Sequence, residues 1–396
     1  MTGIVKTDQI QGAGSSTVTI PSGTALNVTT VSGTPTFSGD VTLPSINGGQ
    51  IGGRRNIVIN GAMNISQRST GVTGISGDDY YTLDRYLISM GNTAGRFTME
   101  QVADVHDGFA NAMRLTCTTA DTSIASNERL IIKTSFEGKD LQHIKKGTSD
   151  AEQLTLSFYV KGDASATYTC ELADDDNNRY VAQEFPVTTN WVRIVRTFVA
   201  DTTGTFDDDN AKSMSVNFWL HAGSDFTGGT FSSNTVHTTS NQRVGDNQTS
   251  FFDSTDRRFF ITGIQLEVGS TATPFEHRSY GDELYLCQRY FEVSGTSSDN
   301  PAGYHFKNMF VGISQLGAYV QGQQFKVEKR ADATVTLFSR GGTSGKVSAF
   351  DTGSDVANNH APNVSGTVGF HAVQRDTGHY TVGKGYEYGY TAEAEL

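Results

Sequence analysis

The chain holds 2 tryptophans among 396 residues, and one of them stands where a core residue is not expected. In MSVNFWLHAG, residues 214–223, strand alternation puts Val216, Phe218 and Leu220 on one face. Ser215, Asn217, Trp219 and His221 fall on the other. LTLSFYVKG, residues 154–162, repeats the arrangement: Leu154, Leu156, Phe158 and Val160 face inward, and Thr155, Ser157, Tyr159 and Lys161 face outward. An aromatic ring among polar neighbours is the chemistry of sugar recognition, because the ring stacks on the apolar face of a pyranose while polar groups meet its hydroxyls. If the two strands share a sheet, Tyr159 and Trp219 line one surface. The candidate glycan-binding residues are then Tyr159, Lys161, Asn217, Trp219 and His221. The competing reading covers both aromatics with loops or with a neighbouring subunit.

Catalytic patterns are missing. There is no G-x-S-x-G elbow, no H-E-x-x-H pair and no phosphate-binding G-x-x-x-x-G-K-S/T loop. Carboxylates cluster at Asp174–Asp176 and Asp207–Asp209. Consecutive aspartates do not predict the spaced pair that a glycosidase needs. They read as solvated loop tips, with a structural calcium site as the second reading, since hard cations take clustered oxygen ligands. Whether metal is bound stays unknown at this stage, and no organic cofactor is expected. Cys117, Cys170 and Cys287 are too far apart for a disulfide framework or a zinc site, so they read as buried thiols. No catalytic residue is assigned, and the chain reads as a non-enzyme.

The elements that must position these residues are strands. Glycine numbers 43 and proline 7, while charged residues make up 18%. Such a composition suits short strands joined by tight turns, because Gly, Asn and Asp reach positive φ cheaply. The net charge is -12, and the basic residues are scattered, which argues against nucleic acid as a partner. No apolar run reaches the ~20 residues that span a bilayer. Met1–Ile10 lacks the apolar core of a secretory signal. Synthesis in a cytoplasm and no membrane insertion are therefore expected.

Three segments follow. Residues 1–53 alternate weakly between short apolar sets (Val18 and Ile20, Leu26 and Val28, Val41 and Leu43) and turns such as SGT and SGD. One copy buries too little to offset backbone entropy. Several copies wound together can share a narrow core, so this segment reads as a fibrous oligomeric stem, with a disordered linker as the competing reading. Residues 54–293 open with GRRNIVINGAMNISQR and continue through LTLSFYVKG, ATYTCELAD, WVRIVRTFVA, MSVNFWLHAG and RRFFITGIQLEVG, the strands of an antiparallel β-sandwich. YGDELYLCQRYFEV at 280–293 spaces Leu284, Cys287 and Phe291 as a short helix does. Residues 294–396 return to strands (KNMFVGISQ, AYVQGQQFKVEKR, ATVTLFSR, GTVGFHAVQR) and end with Tyr386, Tyr388 and Tyr390 along one face, a second small β-domain.

NIVINGAMNISQR at 56–68 with YYTLDRYLIS at 80–89 resembles the opening of a domain found in tail-fibre and other structural proteins of marine and related tailed phages. ITGIQLEVGSTATPFEHRSYGDELYLCQRYFE at 261–292 resembles its closing signature, and FKVEKRADATVTLFS with the terminal YGYTAEAEL resembles the C-terminal part of those proteins. The strand set is also similar to jelly-roll carbohydrate-binding modules, through Trp191–Arg193 and the Gly263–Glu267 strand. The resemblance implies an all-β virion protein with a jelly-roll domain, exposed on the particle. It also implies that Trp191 is structural, packing near the sandwich edge. Together with the thin N-terminal repeat it points to a homotrimer. The expected function is a short trimeric tail fibre that attaches to other virion proteins through residues 1–53 and contacts host-surface glycans through its β-domains. The alternative is a head fibre, capsid-decorating protein or tail adaptor without an essential ligand. A polysaccharide depolymerase ranks below both.

Overall fold

The computed structural model describes residues 54–294, 308–311, 322–356, 360–375 and 383–396. The stem assigned to residues 1–53 lies outside them. The fold is all-β, with antiparallel sheets arranged as a sandwich of jelly-roll type.

Eleven strands build the sandwich: β1 (Gly71–Ile75), β2 (Leu87–Gly91), β3 (Arg96–Val102), β4 (Ala112–Thr119), β5 (Arg129–Glu137), β6 (Leu154–Gly162), β7 (Ala166–Asp174), β8 (Arg179–Val187), β9 (Val192–Phe198), β10 (Lys212–Ala222) and β11 (Arg258–Val268). A six-stranded sheet runs β1-β3-β4-β11-β6-β9, and a five-stranded sheet runs β2-β5-β10-β7-β8. The inward faces read from alternation are correct. Leu156, Phe158 and Val160 of one sheet meet Val216, Phe218 and Leu220 of the other in a common core. Phe158 lies edge-on to both Phe218 and Phe185 at 5.0 Å between centroids, a favoured aromatic geometry.

This packing separates the two strands that the sequence reading joined. β6 and β10 belong to different sheets and face each other across the core. Their outward residues therefore point to opposite sides of the sandwich, and Tyr159 and Trp219 share no platform. Alternation fixes which residues share a face within one strand and says nothing about which strands share a sheet.

The opening NIVINGAMNISQR forms no strand. It is an irregular segment held by Asn56 and Asn60, whose side chains bond to Ile264, Ile65 and Asp84 carbonyls. The short helix expected within 280–293 is present. It spans Tyr280–Gln288, capped by Ser279 accepting from the Asp282 N–H at 3.2 Å. Phe291 lies beyond it, in strand β12 (Phe291–Val293).

β12 pairs with the final long strand, so residues 291–293 belong to the C-terminal sheet and not to the sandwich. Strands β13 (Asn308–Val311), β14 (Gln323–Gln324), β15 (Thr334–Phe338), β16 (Ser348–Ala349), β17 (His360–Ser365), β18 (Gly369–Arg375) and β19 (Gly385–Glu393) complete the C-terminal sheets, which belong to the same compact unit as the sandwich. β19 is the centre of one of them, pairing with β12, β13, β15 and β16. Its tyrosines 386, 388 and 390 are buried against Phe325, Leu337 and Phe370. Charged and polar groups join these C-terminal strands to the sandwich. Arg85 is ion-paired to Glu395, Arg68 to Glu393 at 3.1 Å, and the Tyr80 hydroxyl donates to the Leu396 carbonyl at 2.9 Å.

The three cysteines are buried and unbonded to one another. Burial pushes the Cys117 thiol up to about 11 and Cys170 up to about 12, the inert behaviour of core thiols.

Candidate functional site

The outer face of the five-stranded sheet is a layer of buried polar groups. Thr169 and Glu171 on β7, and Ser215, Asn217 and Trp219 on β10, point outward yet are buried, and the register shifts between Trp219 and His221. The segment 223–252 covers them. Phe226 and Val244 pack onto Trp219 and Ile131 as a small second core. Trp219 therefore faces the side that alternation predicted, but it is not an exposed platform. Its ring lies 5.0 Å from Phe226 and 5.0 Å from the Arg243 guanidinium.

Glu171 organises this layer. Its carboxylate accepts from Asn217 Nδ2 at 2.8 Å, Trp219 Nε1 at 3.1 Å, and the Arg243 fork at 2.7 Å on each arm. A fully buried carboxylate is tolerable only when paired and bonded in this way. Burial works against the charge of Arg243, and Glu171 more than restores it.

His221 lies deeper. One ring nitrogen meets Ser250 Oγ at 2.8 Å and the other Glu128 Oε2 at 2.9 Å. Fully buried and bonded at both nitrogens, it is a structural residue and leaves the candidate site.

A groove of about 280 Å³ opens above this layer. Ser89, Ile131, Asn217 and Trp219, neighbours across the sheet, line it together with Phe226. Three cations line it: Arg129, Lys133 and Arg243. Arg129 donates to Ser89 Oγ at 3.2 Å and pairs with Asp78 at 3.3 Å. Lys133 reaches Asp175 at 3.5 Å, while Lys212 holds the same Asp175 oxygen at 2.9 Å. Burial pushes the Lys133 amine down to about 8; Asp175 opposes this, and Lys212 and Arg243 add to it. The Asn217 side-chain oxygen is buried and has no hydrogen-bond partner among the described residues.

Of the five candidate residues, the structure brings Asn217 and Trp219 to this groove. Sequence reading missed Arg129, Lys133, Phe226 and Arg243. The signal for two of them was present, since RLIIKTSFE alternates Arg129, Ile131, Lys133 outward against Leu130, Ile132 inward. Phe226 and Arg243 arrive on a folded-over loop that no local pattern marks.

Tyr159 and Lys161 lie on the opposite face. Tyr159 is half-buried in an aromatic group, 4.4 Å from His106 and 5.4 Å from Phe109, which in turn contacts Phe275 at 5.0 Å. Gly263 permits this. It sits in a bulge of β11 at φ +62°, and a Cβ there would lie 2.6 Å from Phe109 and 2.8 Å from Tyr159. Lys161 pairs with Asp104 at 2.7 Å and rests over Phe260 at 4.7 Å. Trp191 packs against Phe260 at 6.2 Å, beside β9 at the edge of its sheet.

The aspartate runs divide. Asp207–Asp209 are exposed, as solvated loop tips should be. Asp174 and Asp175 are not. Asp174 is buried against Lys146 at 2.6 Å, and Asp175 serves Lys133, Lys212 and Ser215. Among the described residues, no three His, Cys, Asp or Glu side chains converge as a metal cluster. No helix of the described residues is long and apolar enough to cross a membrane.

No family model and no curated protein matches the chain. Solved structures similar to it include a CBM4 carbohydrate-binding module, at 13% identity and TM-score 0.28, covering 53% of this chain and 97% of the module. The tailspike protein 4 enzymatically active domain of bacteriophage CBA120 aligns at 11% identity and TM-score 0.29, covering 54% of this chain and 21% of that one. A family 11 carbohydrate-binding module from Clostridium thermocellum aligns at 14% identity and TM-score 0.27, covering 51% and 99%. At these values the neighbours carry no argument about what this chain binds.

Proposed function

We propose that the chain is a glycan-recognition protein and that the groove on the outer face of the five-stranded sheet is its binding site. The observation that carries this is the groove itself: about 280 Å³ of space lined by the donors Arg129, Lys133 and Arg243 beside the apolar ring of Phe226. Concave sites with one apolar rim and a few fixed polar groups suit small polar ligands. Recognition rather than catalysis is supported by the lining, which contains no carboxylate. The acids beside it, Glu171, Asp175 and Asp78, are each engaged by cations, whereas glycoside hydrolysis needs two carboxylates flanking the scissile bond.

The resemblance of residues 56–68, 80–89 and 261–292 to phage structural proteins extends the proposal. The chain is a short fibre of a phage virion, trimeric, attached through residues 1–53, with the groove presented to host-surface glycans.

The test is binding of the full chain to a panel of bacterial-type oligosaccharides, compared with an Arg129→Ala/Phe226→Ala variant. The expected result is at least roughly tenfold weaker binding per folded molecule, measured well below the melting temperature of each protein because Phe226 also packs on Trp219. Binding that the variant leaves intact, and that Tyr159→Ala abolishes, places the site on the other face and overturns the groove reading.

A further inference from the structure

The charges around the groove do not balance. Four cations gather there: Arg129, Lys133, Arg243 and Lys212. Three carboxylates answer them: Asp78 to Arg129, Glu171 to Arg243, and Asp175 to both lysines. Asp175 sits closer to Lys212, at 2.9 Å against 3.5 Å, and its other oxygen accepts from Ser215 at 2.9 Å. Lys133 is thus the least compensated cation, and it lines the cavity with its side chain 17% exposed. Arg129 lies four residues earlier on the same face of β5, ~13 Å away along the strand. The groove therefore offers positive charge at two separated points and no carboxylate of its own.

Resting on the glycan reading above, we infer that the ligand is an acidic saccharide, a chain bearing uronate carboxylates or sulfates, and that one anionic group docks on Lys133. A lysine ammonium is a compact point charge suited to either anion, and Arg129 can take a second through its planar fork. The uncharged alternative leaves Lys133 desolvated among like charges, which is the unfavourable condition that already holds its amine down at about 8. The groups facing Lys133 are Asp175 after β7, Lys212 on β10 and Arg243 on the covering loop, with Glu171 on β7 behind Arg243. Lys133 is the one whose charge is lost just above neutrality.

The experiment uses the full chain and defined hexasaccharides of galacturonate, mannuronate and chondroitin sulfate, each beside its methyl-esterified or desulfated neutral twin, by calorimetry. The expected result is that at least one charged member binds tenfold or more tightly than its neutral twin. Lys133→Met should remove that preference, and Lys133→Arg should keep it. Affinity of the wild type for the charged member should fall between pH 7 and 9, while the Lys133→Arg variant holds level, because arginine stays charged. Lys384→Met, which removes an exposed lysine of the C-terminal region paired to Asp351, serves as the control and should change nothing. If charged and neutral twins bind alike and Arg129→Ala/Phe226→Ala weakens both, the acidic-ligand inference fails while the groove stands. If binding ignores every groove variant, the groove reading fails and takes this inference with it.

Discussion

The indole nitrogen of Trp219 donates to the buried carboxylate of Glu171 at 3.1 Å. That bond decides what Trp219 does. An exposed sugar platform keeps one ring face in water, whereas this ring is enclosed by Phe226, Val244 and Arg243 and anchored at its polar end. Trp219→Ala should therefore cost about 3–5 kcal/mol of stability in urea denaturation, the range for large-to-small core changes. A variant that keeps its melting temperature and loses only ligand binding would show the ring to be a platform after all.

Glu171 holds the only charge that offsets Arg243 at close range among the described residues. Glu171→Gln should destabilise by about 3–5 kcal/mol, the cost of leaving a buried cation unpaired. The double variant Glu171→Gln/Arg243→Met should recover part of that loss. A double-mutant cycle in denaturant measures the coupling, and strictly additive losses would mean that the pair acts independently.

Asp84 supplies a pH prediction. It is fully buried, and burial raises its carboxyl from 3.8 to about 6, against the pull of Arg68 and Gln67. A carboxyl raised in the folded state favours folding when protonated. Its favourable contribution is present below pH 4 and lost as pH rises through about 6. The shift corresponds to about 3 kcal/mol. Asp84→Asn should therefore gain stability relative to wild type as pH rises from 4 to 7. A flat difference across that window would show Asp84 to be ionised throughout.

Gly263→Ala tests the opposite face. The new Cβ meets Phe109 and Tyr159 below 3.0 Å, at a φ of +62° that alanine avoids. A loss of about 1–3 kcal/mol is expected, with the Tyr159 environment altered in near-ultraviolet circular dichroism. Groove binding should survive in the folded fraction.

Trimerisation is read by light scattering on the full chain. The proposal expects three times the mass of one chain, and a monomer would remove the fibre reading while leaving the groove untouched.

Several of these features were legible in the sequence because local periodicity carries them. LTLSFYVKG and ATYTCELAD coincide with β6 and β7, and the inward residues of β6 and β10 meet in the core as read. Other features depend on non-local facts. Nothing in two alternating strands reveals that they lie in different sheets, so Tyr159 and Trp219 could not be separated from pattern alone. Nor does alternation show the register shift between Trp219 and His221 that sets His221 opposite Leu130 and against Phe252 and Glu128. Lys133 was readable from the alternation of RLIIKTSFE, but its partners Asp175, Lys212 and Arg243 converge only after folding.

The most direct measurement is a crystal structure of the full chain with the tightest-binding hexasaccharide of the panel. The account predicts a sugar in the groove, with an anionic group at the Lys133 amine. A sugar seated instead on the His106, Phe109 and Tyr159 surface, or on the C-terminal sheets, would contradict it.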